Sequence, residues 1–315
     1  MGRSSENGRK GPLLHKNGPG LLAKGFSCGI IPREKDLTER TEMHLDRQTI
    51  SIDTDWGGMK TIILRPRETG RKYPGLLWIH GGGYFEGMAE MVYFSRGHDA
   101  AQRYGAVVVS PDYRLSPTAP YPAALDDCYT ALLWLKNHAE ELGVDENMIM
   151  VGGESAGGGL TAALCMLAHD RGEVKISYQF PLYPMIDCFD TDSSRDNHSL
   201  FWNTRRNHEG WARYLGPLWG SGDVPAYASP SRREDLSGLP PCYTFVGDGE
   251  PFYCETVKYV EDLRAAGVPA EADVYHVDIH AFDAFFPMTK AAKDARASFL
   301  RHFAAAIGED PEKSL

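Results

Sequence analysis

Short, unbroken apolar runs recur along this chain and alternate with longer segments rich in helix-forming residues. The clearest run is Tyr73–Ile79, whose lack of polar alternation predicts a strand buried on both faces, as in a parallel sheet. Further strand-like runs are Ala106–Ser110, Met148–Val151, Ile176–Pro181, Pro241–Val246 and Ala270–Val277. Helices are predicted at Tyr93–Tyr104, Ala123–His138, Leu160–Ala168, Thr256–Ala266 and Ala291–Ile307, and an antiparallel hairpin at Thr49–Asp53 and Lys60–Arg65. This alternation predicts an α/β architecture with a doubly wound, mostly parallel sheet.

Two segments interrupt the alternation. Residues 187–227 carry several Trp, Phe and Tyr side chains among polar residues, and we expect them to form a helical cap insertion over the sheet. The aromatic residues of such a cap suit a packed interface and a substrate pocket equally well. Residues 1–48 are expected to form an N-terminal arm that contributes to the same cap. The core is then formed by residues 49–186 and 228–315.

Composition and charge limit the classes of partner that this chain is expected to bind. The chain has 315 residues, of which 42% are hydrophobic and 24% charged, as in a globular protein with a sizeable core. Its net charge of −10 argues against a nucleic acid or an anionic membrane as partner. The chain has no apolar run long enough to span a bilayer and no apolar segment typical of a secretory signal near its start.

The cysteines indicate a reducing compartment. All six are scattered, and no C-x-x-C pair occurs. They therefore favour reduced, buried thiols over a disulfide framework or a metal site. Together with the N-terminal sequence, they predict a cytoplasmic protein.

The stretch Gly153–Gly157 fits the pattern G-x-S-x-G between a predicted strand and a predicted helix. In this pattern a sharp turn presents a serine at the top of the sheet, so Ser155 is a candidate nucleophile. The helix that follows directs backbone N–H groups toward any negative charge that forms there. The alternative interpretation is a glycine-rich turn that binds phosphate or no ligand.

A serine nucleophile of this kind needs a base and an acid that follow it along the chain, each just beyond a strand. His280 follows the last predicted strand and is the candidate base. His276 falls inside the predicted strand Ala270–Val277, where its side chain projects less easily over the edge of the sheet. The loop after Pro241–Val246 contains Asp248 and Glu250. Their spacing alone does not decide which of the two is the acid.

A second glycine-rich loop, His80–Tyr84, directly follows the strand Tyr73–Ile79. Because Gly81, Gly82 and Gly83 have no side chains, their backbone N–H groups can approach a substrate carbonyl closely. Together with the N–H of Ala156, they are the candidate oxyanion hole. The alternative is a tight turn that binds phosphate, and His80 is expected to be structural.

Four blocks stand in order along the chain: His80–Tyr84, Asp112–Pro117, Tyr121–Ala124 and Gly153–Gly157. Together they resemble the hormone-sensitive-lipase-like branch of the α/β-hydrolase fold, the bacterial esterases with an H-G-G-G loop. The resemblance covers about residues 60–305. A G-E-S-A-G elbow also occurs in the much longer cholinesterase-type carboxylesterases, but the length of this chain and its D-Y-R-L-S-P block fit the shorter branch better.

The resemblance implies carboxylic-ester hydrolysis without metal or cofactor. It implies Ser155 as nucleophile, His280 as general base, and an oxyanion hole formed chiefly by Gly82 and Gly83 with Ala156. The family usually places an Asp before Pro in a D-P-[FL] turn, whereas Glu250 stands before Pro251 here. Glu250 is therefore the preferred acid and Asp248 the second choice.

The resemblance also implies a small-molecule ester as substrate, with a preference for short to medium acyl chains, and a possible homodimer. Two rival interpretations remain open. The first is a small-molecule receptor on the same fold, and the presence of His280 argues against it because such receptors lack this His. The second is an amidase or peptidase, with which the elbow is compatible.

Overall fold

A computed structural model describes residues 42–68 and 70–310. An eight-stranded sheet runs through it in the order β1-β2-β4-β3-β5-β6-β7-β8. The strands are β1 Leu45–Thr54, β2 Gly57–Pro66, β3 Tyr73–Ile79, β4 Val107–Pro111, β5 Val144–Glu154, β6 Tyr178–Leu182, β7 Cys242–Gly247 and β8 Ala270–Tyr275. The pairs β1–β2 and β2–β4 are antiparallel, and all the other pairs are parallel. The sequence prediction of a doubly wound, mostly parallel sheet is therefore confirmed.

The described part of the chain contains eight α-helices. They are α1 Arg96–Tyr104, α2 Ala123–Asn137, α3 Ala139–Leu142, α4 Ala156–Arg171, α5 Thr204–Leu215, α6 Tyr253–Ala265, α7 Phe282–Phe285 and α8 Lys290–Ala306. Short 3₁₀ segments occur at Ala89–Phe94, Gly216–Leu218 and Pro230–Arg232. None of the helices among these residues is long and apolar enough to cross a membrane.

Strand β3 shows how the unbroken apolar runs produce this fold. All seven of its residues are buried. Leu77 and Ile79 pack into a core with α2 and α4, while Leu76 and Trp78 pack into a second core with α1 and α8. Because successive side chains of a strand point to opposite faces, a strand between two helical layers needs an apolar residue at every position.

The predicted elements are present in the structure with shifts of a few residues at several ends, and two further differences concern the predicted core and cap. Strand β1 begins at Leu45, before the predicted start of the core at residue 49. Within the predicted cap 187–227, the only α-helix is α5, and residues 187–203 contain no helix. The N-terminal arm up to residue 41 lies outside the described residues, so its predicted place in the cap stays a prediction.

Candidate active site

Ser155 occupies the sharp turn between β5 and α4. Its backbone has φ 58° and ψ −118°, a conformation that costs free energy for any residue with a side chain. A Cβ at Gly153 would lie 2.5 Å from the carbonyl oxygen of Ile79, and a Cβ at Gly157 would lie 2.1 Å from it. The two glycines of the motif are therefore needed because the turn packs directly against the end of β3.

The imidazole of His280 lies beside the Ser155 hydroxyl. The distance from His280 Nε2 to Ser155 Oγ is 2.8 Å. His280 follows β8, and the next residue, Ala281, has a left-handed backbone with φ 55°. Both side chains are buried, which excludes most of the water that would compete for this hydrogen bond.

The carboxylate of Glu250 lies on the other side of the same ring. His280 Nδ1 forms a hydrogen bond with Glu250 Oε2, and the backbone N–H of Gly247 donates to Glu250 Oε1 at 3.0 Å. Glu250 is 0% exposed. A carboxylate accepts only, so Nδ1 of His280 carries the proton and Nε2 is left to accept from the hydroxyl of Ser155.

Asp248, the second candidate acid, lies elsewhere. Its Oδ2 atom is 2.8 Å from Nδ1 of His276. His276 lies just past the end of β8 instead of within the strand as predicted, and its side chain is 99% exposed. The two acids that spacing alone could not separate therefore have different partners, and only Glu250, the acid preferred from the family resemblance, contacts His280.

The loop His80–Tyr84 lies next to the turn that carries Ser155. A Cβ at Gly81 would lie 3.3 Å from the Cβ of Ser155. Gly82 and Gly83 have positive φ values of 118° and 58°, and a Cβ at Gly82 would lie 2.1 Å from the carbonyl oxygen of Glu86. Both positions thus require glycine.

Three backbone N–H groups near Ser155 are free to bind an anion. Within the described ranges, the N–H groups of Gly82, Gly83 and Ala156 donate to no backbone or side-chain acceptor. Ala156 is also the first residue of α4, where the helix dipole favours negative charge. They are three of the four donors that the sequence predicted for an oxyanion, the fourth being Gly81, and their role in an oxyanion hole stays a prediction.

His80 has a structural environment, as the sequence predicted. Its Nδ1–H donates to the carbonyl oxygen of Gly81 at 2.8 Å, and its ring stacks on Tyr113 with 4.1 Å between centroids. Burial lowers the pKa of His80 to about 4, so the ring is neutral at neutral pH. The hydroxyl of Tyr113 in turn donates to the carbonyl oxygen of His80 at 3.0 Å. These contacts hold the start of the glycine loop.

Sequence reasoning did not identify two aromatic residues that surround the site. Trp202 occupies the space where a Cβ of Gly83 would be, with the nearest ring carbon 2.1 Å from that position. Tyr183, whose φ is 33°, places its ring edge-on to the ring of His280, with 5.2 Å between centroids. The aromatic content of 187–227 was the only signal for Trp202, and no motif pointed to Tyr183.

No three His, Cys, Asp or Glu side chains within 42–68 and 70–310 come together as a metal-binding group. The site instead consists of a serine hydroxyl, an imidazole, a carboxylate and free backbone N–H groups. This arrangement suits attack of the hydroxyl on a carbonyl carbon, with the imidazole taking the proton.

Comparison with known proteins gives consistent results. A family model described as the alpha/beta hydrolase fold matches residues 76–284, more than half of the chain. Esterase LipI of Mycobacterium tuberculosis is 33% identical over 229 residues, which cover 70% of this chain and 69% of the relative. Carboxylesterase NlhH of the same organism is 32% identical over 263 residues, which cover 81% of this chain and 80% of the relative.

Solved structures show the same similarity in three dimensions. One described as bacterial heroin esterase has a TM-score of 0.78 and 32% identity, and the alignment covers 86% of this chain and 87% of that one. The described fold and its relatives thus agree with the architecture that the sequence predicted.

Proposed function

Since this chain belongs to the α/β-hydrolase family and is a carboxylesterase-type hydrolase within it, we propose that it cleaves small-molecule carboxylic esters with Ser155, His280 and Glu250. The contact that carries the proposal is the 2.8 Å distance between Ser155 Oγ and His280 Nε2, with Glu250 bonded to the other ring nitrogen. These contacts support the proposal, because acyl transfer by a serine requires a nucleophile beside a base that an acid orients.

In the first half of the reaction, His280 Nε2 takes the proton of Ser155 while Oγ attacks the carbonyl carbon. The resulting oxyanion accepts hydrogen bonds from the N–H groups of Gly82, Gly83 and Ala156, each worth roughly 3–4 kcal/mol in the transition state. The C–O bond to the alcohol then breaks, and His280 gives its proton to the leaving oxygen. The acyl group remains on Ser155.

In the second half, a water molecule replaces the alcohol. His280 takes a proton from the water, the hydroxide attacks the acyl carbon, and the same N–H groups bind the second oxyanion. The carboxylic acid leaves and the proton returns to Ser155. Throughout, the charge of Glu250 stabilises the imidazolium form of His280.

Short to medium acyl chains are the proposed substrates. The indole of Trp202 fills the space beside Gly83 and is 5% exposed, so it restricts the room next to the proposed oxyanion hole. A series of p-nitrophenyl esters with increasing acyl length tests this point. We expect kcat/KM to decline beyond medium chains, and a preference for long chains would contradict it.

The Ser155→Ala variant tests the proposed mechanism. We expect kcat for p-nitrophenyl acetate to fall by up to about 10⁶-fold while the melting temperature is retained. Ser177→Ala is the matched control, because Ser177 lies at the opposite end of the parallel strands, where its hydroxyl donates to the carbonyl oxygen of Ile149. Full activity of Ser155→Ala would contradict the assignment.

Binding and turnover assays with p-nitrophenyl esters and with the matching anilides separate the two rival functions. A receptor would bind the esters without turnover, and an amidase would cleave matching anilides at rates similar to the esters. The possible homodimer and the cytoplasmic location stay predictions.

A further inference from the structure

Ionisable side chains gather behind the proposed active site, on the side of the sheet that carries α1 and α8. We name them the Arg96 cluster, which consists of Arg96, Asp99, Glu154, Tyr183 and Asp283. Four of these residues are buried and Glu154 is half-buried. None of the catalytic steps proposed above uses them.

Two carboxylates of this cluster belong to the two loops that carry the proposed nucleophile and base. Glu154 directly precedes Ser155, and Asp283 lies in the short helix α7, just after His280. The hydroxyl of Tyr183 donates to Asp283 Oδ1 at 2.9 Å. Because each carboxylate lies within three residues of Ser155 or His280 along the chain, a shift of either carboxylate also moves the backbone that carries the proposed nucleophile or base.

Arg96 lies between these loops. Its Nη1 is 3.0 Å from Asp99 Oδ2, and its Nε is 3.5 Å from Asp283 Oδ2. Its positive charge also favours the ionised form of Glu154. The second cation in reach is Arg296, which is half exposed and pairs with Asp99 at 2.6 Å. Arg96 is thus the buried cation that faces the carboxylates of both loops.

The electrostatic state of the cluster depends on this cation. Burial raises the pKa of Asp283, and burial together with the charge of Asp283 raises the pKa of Glu154 to about 8. Arg96 opposes both shifts. Without it, the buried negative charge of Asp283 would keep hydrogen bonds from the Tyr183 hydroxyl and from its own backbone N–H but would lose its cation, which is unfavourable.

The loops that the cluster joins have strained backbones. Ser155, Tyr183 and Ala281 have φ values of 58°, 33° and 55°. Such conformations persist only where surrounding contacts hold them, and they relax when those contacts are lost. A displacement of about 1 Å between a nucleophile and its base lowers the rate by about 10²-fold.

We propose that Arg96 is a positioning residue whose charge compensates the buried carboxylate of Asp283 and thereby holds His280 at its observed distance from Ser155. This inference rests on the proposed function. Arg96 acts through this carboxylate and does not touch the reacting atoms.

A double-mutant cycle on Arg96 and Asp283 tests the proposal. We expect Arg96→Met to lower kcat on the order of 10²-fold with little change in KM, because geometry and not ester binding is affected. Asp283→Asn alone should lower kcat about tenfold, since the uncharged side chain keeps the Tyr183 hydrogen bond but loses the attraction to Arg96. The double variant should recover about tenfold of the loss seen in Arg96→Met, because it leaves no unpaired carboxylate at this position.

The pH dependence distinguishes positioning by charge from simple packing. The groups that face Asp283 are Arg96 and Asp99 from α1, Tyr183 after β6 and Glu154 at the end of β5, while Arg296 from α8 reaches Asp99. In Arg96→Met, Glu154 keeps the hydrogen bond from Trp78 Nε1 at 2.8 Å, whereas Asp283 loses the cation that faces it. Protonation at lower pH neutralises the Asp283 carboxylate, so the ratio of the variant's kcat to that of the native enzyme should rise as the pH falls.

Arg233→Met is the matched control. It removes the ion pair between Arg233 and Asp170, which lies near the end of α4 that is remote from Ser155, and we expect native kcat at every pH. Native kcat in Arg96→Met, or a loss that is independent of pH and is not relieved by Asp283→Asn, would overturn the proposal. If Arg96→Met does not fold, Asp283→Asn decides, and native kcat in that variant would also overturn it.

Labelling with a fluorophosphonate separates this inference from the proposed function. Native enzyme should be labelled at Ser155, Ser155→Ala should not be labelled, and Arg96→Met should be labelled more slowly. No label at Ser155 in the native enzyme means that the proposed function fails. Label at Ser155 in the native enzyme and an equal rate in Arg96→Met mean that only the positioning role fails.

Discussion

The loop after β7 and the loop after β8 are joined by two acid–imidazole pairs that differ in burial. Asp248 pairs with His276, and Glu250 pairs with His280, and in both pairs the carboxylate contacts Nδ1 of the ring. The side chain of His276 is 99% exposed, whereas those of His280 and Glu250 are 6% and 0% exposed. Of the two pairs that these loops form, one is therefore exposed to solvent and the other is buried.

This difference shows what burial adds to an otherwise similar contact. Water competes for both members of the exposed pair, so such pairs contribute little. In the interior, Glu250 also accepts from the Gly247 N–H, and the free ring nitrogen of His280 meets Ser155. A low-dielectric environment strengthens both interactions, and the fixed geometry leaves the imidazole ready to accept a proton. Chemistry is therefore expected from the buried pair alone.

The largest expected difference lies between the two variants that each remove one imidazole. His280→Ala should lower kcat for p-nitrophenyl acetate by about 10⁴–10⁶-fold, because Ser155 loses its base. His276→Ala, the matched control from the same loop, should keep native kcat. Steady-state kinetics on both variants, with melting temperatures as a check of folding, provide the measurement. Comparable losses in the two variants would mean that the buried pair has no special role.

The next effect comes from neutralising each acid. Glu250→Gln should lower kcat by about 10³–10⁴-fold, because an amide in place of the carboxylate no longer stabilises the imidazolium and can favour the wrong tautomer. Asp248→Asn should leave kcat unchanged. The reverse order of effects would move the acid to Asp248 and contradict the comparison.

A smaller effect is expected from shortening the buried acid. Glu250→Asp keeps the charge but withdraws the carboxylate by one methylene, so the hydrogen bond to His280 lengthens. We expect a loss in kcat of about 10²-fold, less than for Glu250→Gln. Measuring both variants under the same conditions tests whether charge or distance matters more. A larger loss for Glu250→Asp than for Glu250→Gln would argue that distance dominates.

The smallest effect concerns the exposed pair itself. The hydrogen bond and the charge of Asp248 raise the pKa of His276, so the folded protein holds this proton more tightly than the unfolded chain. The resulting stabilisation is present below the unfolded pKa of the imidazole and is lost as the pH rises through the folded pKa. Asp248→Asn should therefore lower the NMR-detected pKa of His276 and reduce the melting temperature slightly, at acidic pH only. An unchanged pKa would show that the pair does not form in solution.

Several features of this molecule could be predicted from local sequence alone. Unbroken apolar runs predict the inner strands, because a strand covered by helices on both faces has no position that tolerates water. The glycines of Gly153–Gly157 and His80–Tyr84 predict close backbone approach, and the structure shows carbonyl oxygens or the Trp202 ring where side chains would be. These are short-range demands, so each is encoded within a few neighbouring residues.

Other features depended on contacts between distant segments. Spacing left Asp248 and Glu250 as equal candidates, and only the path of the loop after β7 buries Glu250 against His280 and leaves Asp248 at the surface. Arg96 belongs to no motif, yet α1 places it beside Asp283, which lies far from it along the chain. Sequence patterns do not report such meetings, because burial and pairing of charges are decided by which elements pack together.

The sequence by itself thus determined the strand and helix pattern, the turn that carries Ser155 and the glycine loop, since these follow from local backbone and burial requirements. Only the tertiary structure decided which carboxylate meets the His280 ring, which aromatic side chain covers Gly83 and which cation lies behind both loops. The physical reason is that hydrogen bonds and charge pairs act over a few ångströms in space. Residues far apart along the chain come within that range only after the sheet and its helical layers have formed.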